Sequence, residues 1–143
     1  MVGRYRVIED VALADCALEV EATDPNDLFE TAARALAELM VDPSTVGTGL
    51  SRVIALTAVR LDLLLYDWLS ELIYRKDRDR EVFPETHVRV EGTGPCRLEA
   101  AARGDVLDPG RMALRADVKA VTFHQFAVMA IDGGWRARLV IDI

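Results

Sequence analysis

The sequence has few cysteines, few histidines and no long apolar run. Its two cysteines, Cys16 and Cys96, are far apart in the chain, form no Cys-x-x-Cys motif and have no histidine beside them. This pattern argues against a zinc site or a redox pair, and we expect both thiols to be reduced and buried. No apolar stretch approaches the ~20 residues that span a bilayer, and the N-terminal MVGRYR does not resemble a signal peptide. We therefore predict a cytoplasmic protein without membrane contact.

Positive charge is also scarce. The 143 residues include 24 Asp and Glu against 17 Lys and Arg, which gives a net charge of −7. Because this charge repels phosphate backbones, sequence-specific binding of nucleic acid is disfavoured. An acidic protein can still bind another protein that itself holds nucleic acid. The length and a hydrophobic content of 51% predict one globular domain over residues 1–143.

Two helices are predicted from capping signals and apolar spacing. The first begins at Asp24-Pro25, because aspartate caps helix N-termini and proline suits the first helical position. It ends before Asp42-Pro43, and its apolar stripe comprises Leu28, Phe29, Ala32, Ala33, Leu36, Leu39 and Met40. We expect Asp62 to cap the second helix, whose stripe comprises Leu61, Leu64, Leu65, Trp68, Leu69, Leu72 and Ile73. The charged run over residues 75–81 predicts a solvated helix end and surface loop, or alternatively an interaction loop.

Much of the remaining chain has the two-residue alternation of half-buried strands. Strands are predicted over residues 16–22, 51–59, 87–90, 96–102, 114–121, 123–131 and 135–143, with a hairpin turn at 132–134. Strands joined by short turns pair in antiparallel fashion. We therefore predict an α+β fold, a single two-layer domain in which two helices cover antiparallel strands.

Familiar catalytic motifs are missing from the sequence. It contains no glycine-rich nucleotide-binding loop, no Gly-x-Ser-x-Gly and no His-Glu-x-x-His. The only histidines are His87 and His124, and we expect each to be a strand residue with a local hydrogen bond. No catalytic nucleophile stands out.

Two acids stand out by position. Asp15 interrupts an apolar run where a strand begins, and Asp142 precedes Ile143, whose α-carboxylate we expect near the sheet. If the beginning of the Asp15 strand meets the end of the last strand, three oxygen-donating anions converge. Such a set suits Ca²⁺ or Mg²⁺ and not zinc. The alternatives are that the aspartates are solvated or that Asp142 pairs with Arg136 or Arg138.

Three segments resemble the archease family in their order and separation. They are residues 67–74 (DWLSELIY), 119–124 (KAVTFH) and 132–143 (DGGWRARLVIDI). The resemblance implies a small acidic protein that assists the RNA-splicing ligase joining a 3′-phosphate or 2′,3′-cyclic phosphate to a 5′-hydroxyl. It implies a non-catalytic cofactor that promotes guanylylation of the ligase's active-site histidine and multiple turnover.

The resemblance also implies the site residues. Asp15, Asp142 and Ile143 correspond to the family's metal ligands, with Ca²⁺ as the expected cation and Mg²⁺ as the alternative. Lys119 and His124, in the second matching segment, are expected to contact the ligase. The family's N-terminal signature is approximately Asp-His-Thr-Ala-Asp-Val-Gly, and here Ala12 replaces the histidine and Ala17 the glycine.

Two other functions stay open from the residues alone. The first is a small metal-dependent hydrolase or nucleotide-handling enzyme, in which Asp15 and Asp142 form a catalytic site and His124 is the base. It requires His124 within hydrogen-bond reach of a metal-bound water. The second is a chaperone-like binding module without a metal.

Overall fold

The computed structural model describes residues 2–8, 15–92 and 94–143. Two helices, a short 3₁₀ turn and seven strands lie within these residues. In chain order they are β1 (Arg4–Ile8), β2 (Asp15–Ala22), α1 (Pro25–Met40), the 3₁₀ turn (Pro43–Thr45), β3 (Leu50–Ala58), α2 (Leu61–Asp79), β4 (Glu81–Glu91), β5 (Cys96–Val106), β6 (Ala120–Ile131) and β7 (Gly134–Asp142).

The strands form two antiparallel sheets. One sheet has the order β1-β2-β7-β6, and the other has the order β3-β5-β4. Two helices with two antiparallel sheets confirm the predicted α+β class. In the part of the chain that the structure describes, no helix is long and apolar enough to cross a membrane.

Helix α1 begins as predicted and seals one sheet edge. The Asp24 carboxylate accepts a hydrogen bond from the Asp27 amide at 2.8 Å, and the predicted stripe is buried except for Leu39, which is partly buried. Further along the helix, Glu30 Oε2 accepts a hydrogen bond from the amide of Val88 on the edge strand β4 at 2.7 Å. Side chains of α1 thus occupy backbone donors that an open sheet edge leaves unpaired.

Helix α2 buries the whole predicted stripe but is not capped by Asp62. The helix begins at Leu61, and its N-cap residue is Arg60, whose side chain makes no capping hydrogen bond. Asp62 therefore lies in the first turn, where its carboxylate accepts from the Leu63 amide at 2.9 Å. The predicted cap is wrong, although a negative charge in the first turn still stabilises the positive end of the helix dipole.

The charged run over residues 75–81 is not wholly solvated, contrary to prediction. Lys76 is 8% exposed and Glu81 is 5% exposed. The Glu81 carboxylate accepts two hydrogen bonds from the Arg52 guanidinium, at 3.2 and 2.8 Å. Such burial is stable only when the charge is paired, and the partner here comes from a different element.

Residues 114–121 are not the predicted strand. Leu114 makes only an isolated bridge with Val41, and regular pairing begins at Ala120. The amides of Arg115 and Ala116 donate to carbonyls in the last turn of α1, at 2.8 and 2.9 Å. The segment therefore satisfies acceptors that every helix leaves free at its C-terminus.

Strands β4 and β5 extend beyond their predicted bounds, and the added residues include a proline and a glycine. Pro84 lies in a bulge of β4, where the register with β5 shifts between Val82 and Glu85. A proline is tolerated at a bulge, where its missing amide is not needed for the ladder. Gly104 lies opposite, and a Cβ there would be 1.8 Å from the Val82 carbonyl oxygen. Only glycine permits this close approach.

Tyr5 joins β1 to α1, and its ionisation is expected to make stability pH-dependent. Burial and a hydrogen bond to the Glu38 carboxylate raise the pKa of Tyr5 from 10.0 to about 12. Between these values the unfolded chain loses the proton while the folded protein keeps it, so stability should fall as the pH rises through this interval. Thermal melts at rising pH measure this loss. It should shrink in Tyr5→Phe and persist in the exposed control Tyr74→Phe, and equal losses in all three proteins would contradict the prediction.

Candidate functional site

Asp15 and Asp142 lie directly opposite each other on neighbouring antiparallel strands. The register pairs the first residue of β2 with the last residue of β7, and Ala120 of β6 pairs with Asp142 on the other side. Side chains of directly opposed residues project from the same face, with Cβ atoms about 4.5–5.5 Å apart. The two carboxylates therefore lie within reach of one cation.

The aspartate pair lies on the face of the four-stranded sheet that we call the outer face. This face carries alternate residues of β2, namely Asp15, Ala17, Glu19 and Glu21, with their partners on the neighbouring strands. The other face carries Leu18 and Val20, which belong to the same hydrophobic core cluster as the α1 stripe, and Tyr5, which bonds to α1. The candidate site is therefore on the side of the sheet turned away from α1.

The β7 arginines on the outer face bind groups other than Asp142. Arg136 donates to the Glu21 carboxylate at 3.0 Å, and Arg138 donates to Gln125 Oε1 at 2.8 Å. The alternative in which Asp142 pairs with one of these arginines is therefore wrong. Across residues 2–8, 15–92 and 94–143, neither aspartate of the pair has an ion-pair or hydrogen-bond partner for its carboxylate.

At the opposite end of the outer face, the carboxylates are paired with arginines. Glu21 accepts from Arg4 of β1 at 2.9 Å as well as from Arg136 of β7. These bonds, led by that from Arg4, lower the pKa of the Glu21 carboxyl. Arg6 and Glu19 form a second pair at 3.1 Å in the next row. Within the described part of the chain, uncompensated negative charge on this face is thus concentrated at Asp15 and Asp142.

The donor set near the aspartate pair fits a hard cation. Next to the pair on the outer face, Thr122 has a buried Oγ1 without a hydrogen-bond partner among the described residues. Oxygen donors suit Ca²⁺ or Mg²⁺, whereas zinc prefers nitrogen and sulfur. No group of three or more His, Cys, Asp or Glu that could hold a metal ion occurs in the described ranges.

Lys119 adjoins the aspartate pair, whereas His124 lies further away. The Lys119 amide donates to the carbonyl oxygen of Asp142 at 2.8 Å. His124 is exposed in an irregular part of β6, where the register with β7 shifts. Because β7 lies between β6 and β2, His124 is about 10 Å or more across the sheet from Asp15. This geometry does not support His124 as the base for a water bound at Asp15.

The two cysteine thiols are poorly reactive, and His87 lies beyond hydrogen-bond distance of Glu85. Cys96 is buried and Cys16 is half-buried, and both are free thiols. Burial raises the pKa of both thiols, so they stay protonated and poorly nucleophilic at neutral pH. His87 Nε2 lies 3.6 Å from Glu85 Oε1, which is too long for the predicted local hydrogen bond.

An aromatic cluster beside Lys119 was not predicted. Tyr66 of α2 stacks on Phe123 of β6, with ring centroids 3.9 Å apart, and Phe126 packs edge-on against both rings. Tyr66, Tyr74 and Lys119 line an adjoining groove of about 230 Å³. Sequence periodicity misses this cluster, because Tyr66 lies outside the apolar stripe of α2 and the β6 irregularity brings the two phenylalanines to it.

Comparison with known proteins decides the family. Residues 5–143 match the model described as the Archease protein family (MTH1598/TM1083). The chain belongs to the archease family. A protein archease of Methanopyrus kandleri is 35% identical over 131 residues, which cover 91% of this chain and 94% of the relative. A protein archease of Methanosarcina mazei is 35% identical over 119 residues, which cover 82% of each chain.

Solved structures agree with the archease assignment. The solution structure of protein 1598 from Methanobacterium thermoautotrophicum has a TM-score of 0.77 and 30% identity, covering 99% of this chain and 98% of that one. The crystal structure of a Thermotoga maritima archease, described as a possible chaperone, has a TM-score of 0.67 and covers 96% and 98% of the two chains. At 15% identity it shows the shared fold alone. Ala12, where the archease signature has a histidine, lies outside the described residues.

Proposed function

We propose that the protein is a non-catalytic activator of an RNA-splicing ligase, the enzyme that joins a 3′-phosphate or 2′,3′-cyclic phosphate to a 5′-hydroxyl. Membership of the archease family supports this class of partner. The observation that carries the proposal is the facing Asp15–Asp142 pair, whose carboxylates have no ion-pair partner among the described residues. In this proposal the protein acts in the cytoplasm and promotes both guanylylation of the ligase's active-site histidine and multiple turnover.

In this proposal three groups of the chain hold a divalent cation. They are the side-chain carboxylates of Asp15 and Asp142 and the α-carboxylate of Ile143, with Ca²⁺ preferred and Mg²⁺ as the alternative. Like charges directly opposite each other destabilise a strand pair, so the chain gains stability when this repulsion is neutralised. When bound, the cation supplies positive charge that can neutralise phosphate oxygens at a ligase active site.

The charge of the protein supports docking on a basic surface. Its net charge of −7 attracts the basic mouth of an enzyme that binds RNA and steers the two proteins together. Lys119 and His124 are both exposed on the β6 side of the aspartate pair and are the proposed contacts with the ligase. The same net charge disfavours direct contact with RNA.

Calcium should raise the thermal midpoint of the wild-type protein. A ligand that binds only the folded state adds about 2.7 kcal/mol to the free energy of unfolding at a concentration of 100 Kd. Asp15→Asn should abolish this rise, because one anionic ligand is lost. Asp132→Asn is the matched control, since it removes the same charge from the exposed hairpin turn and should leave the calcium response intact.

The same three proteins test activation of the ligase. With a purified RNA-splicing ligase, wild-type protein and Asp132→Asn should increase the number of ligation turnovers, and Asp15→Asn should increase it much less. An absence of stimulation by the wild-type protein would contradict the proposed partner. A midpoint unchanged by millimolar Ca²⁺ in the wild-type protein would contradict the cation site.

A further inference from the structure

A single peptide group beside the aspartate pair is bonded on both sides. The carbonyl oxygen of Val118 accepts a hydrogen bond from the Lys76 ammonium at 2.6 Å. The amide of Lys119, which belongs to the same peptide group, donates to the carbonyl oxygen of Asp142 at 2.8 Å. A side chain of α2 is thus connected to the end of β7 through one rigid, planar unit.

The Lys76 ammonium is buried and fully engaged. The residue is 8% exposed, and its Nζ lies 2.8 Å from Asp117 and 2.6 Å from Asp77. Burial lowers the pKa of Lys76, but the hydrogen bonds to Asp117 and Asp77 outweigh burial and raise the pKa above its ordinary value. Lys76 therefore carries its positive charge at neutral pH.

A charged donor on one side of a peptide group strengthens the bond on the other side. The ammonium polarises the Val118 carbonyl, and this polarisation makes the Lys119 amide a better donor to Asp142. The backbone position of Asp142 determines whether its carboxylate stays opposite Asp15. Val118 is fully buried, so the peptide group has packing as well as hydrogen bonds to hold it.

We propose that Lys76 is a positioning residue of the Asp15–Asp142 site, which it supports through the Val118–Lys119 peptide group. The effect of Lys76 on backbone order is inferred for the metal-free protein. Its effect on cation affinity rests on the proposed function. Lys76 itself does not contact the site. Its expected effects are order at the end of β7 and a higher affinity for the cation.

The test compares three variants of the full chain. Lys76→Met keeps an unbranched apolar stem but removes every donor. Asp117→Asn is the matched control, because it changes a carboxylate partner and leaves the bond from Lys76 to Val118. Lys76→Gln retains a neutral donor and provides a second variant if Lys76→Met does not fold. Amide hydrogen exchange in metal-free buffer is read by NMR, and calcium affinity is read by calorimetry.

In Lys76→Met we expect the Lys119 amide to exchange about tenfold faster, the effect of losing one hydrogen bond to a charged group. The Val20 amide in the middle of β2 should be unchanged. Calcium Kd should rise about tenfold in Lys76→Met, less in Lys76→Gln and little in Asp117→Asn.

Each of the other possible results overturns one part of the inference about Lys76. Unchanged exchange at Lys119 in both Lys76 variants overturns the backbone connection. Faster exchange with unchanged calcium Kd overturns the positioning of Asp142 for the cation. If wild-type protein binds no calcium, the proposed cation site fails, and the exchange rates alone then decide whether Lys76 orders the end of β7.

Discussion

Replacing Trp68 with alanine should lower the free energy of unfolding by about 3–5 kcal/mol. Trp68 is fully buried in the stripe of α2, so the substitution leaves a large cavity between the helix and the rest of the core. The indole Nε1 also donates to the Phe29 carbonyl of α1 at 3.1 Å, and the variant leaves that buried acceptor without its donor. Urea unfolding with a common m-value measures the loss.

Asp67→Ala is the matched control for this measurement. Asp67 neighbours Trp68 in α2 but is exposed, and its loss should cost less than about 1 kcal/mol. Trp68→Phe should fall between the two, because it keeps much of the volume and loses the hydrogen bond. Equal losses for Asp67→Ala and Trp68→Ala would show that α2 is rotated relative to the structure described above.

A C-terminal extension should remove the calcium response and the stimulation of the ligase. The extension converts the α-carboxylate of Ile143 into a neutral amide, so the proposed site loses one of three anionic ligands. The Ile143 side chain is partly buried against the core and is unchanged by the extension. Melting in metal-free buffer should therefore stay close to that of the wild-type protein.

The control is the same tag placed at the N-terminus, which leaves the carboxylate free. Thermal melts with and without millimolar Ca²⁺, together with ligation assays, compare the two proteins. If the C-tagged protein responds to calcium and stimulates the ligase as well as the N-tagged protein, the α-carboxylate is not a ligand. The third ligand would then have to come from another acidic group.

The helices were the most predictable part of the fold. Asp24 and Pro25 mark the beginning of α1 by local chemistry, and apolar spacing identifies the buried faces of both helices. These signals depend only on neighbours within one or two turns, and the structure confirms them. The hairpin between β6 and β7 is equally local, because Gly133 adopts a φ of 78°, which a glycine accommodates without strain.

Two of the wrong predictions share a physical cause, which is a partner distant in sequence. The charged run over residues 75–81 has the sequence of a solvated segment. Glu81 is nevertheless buried, because Arg52 of β3, which lies outside the run, neutralises it. Residues 114–121 alternate like a strand, but they bond to the end of α1. Asp62 was misjudged for a local reason, since the helix begins earlier and Asp62 lies in its first turn.

For the candidate site, residue type and position in the chain were sufficient to single out Asp15, Asp142 and Ile143. That these residues lie close together was only a hypothesis, because nothing in the local sequence determines which strands pair. The β2–β7 register places Asp15 opposite Asp142, and a slip of one residue would turn one of these side chains to the other face. Register is determined by packing of the whole sheet. The tertiary structure alone therefore decided that the two aspartates face each other and that Lys76 reaches the peptide group beside them.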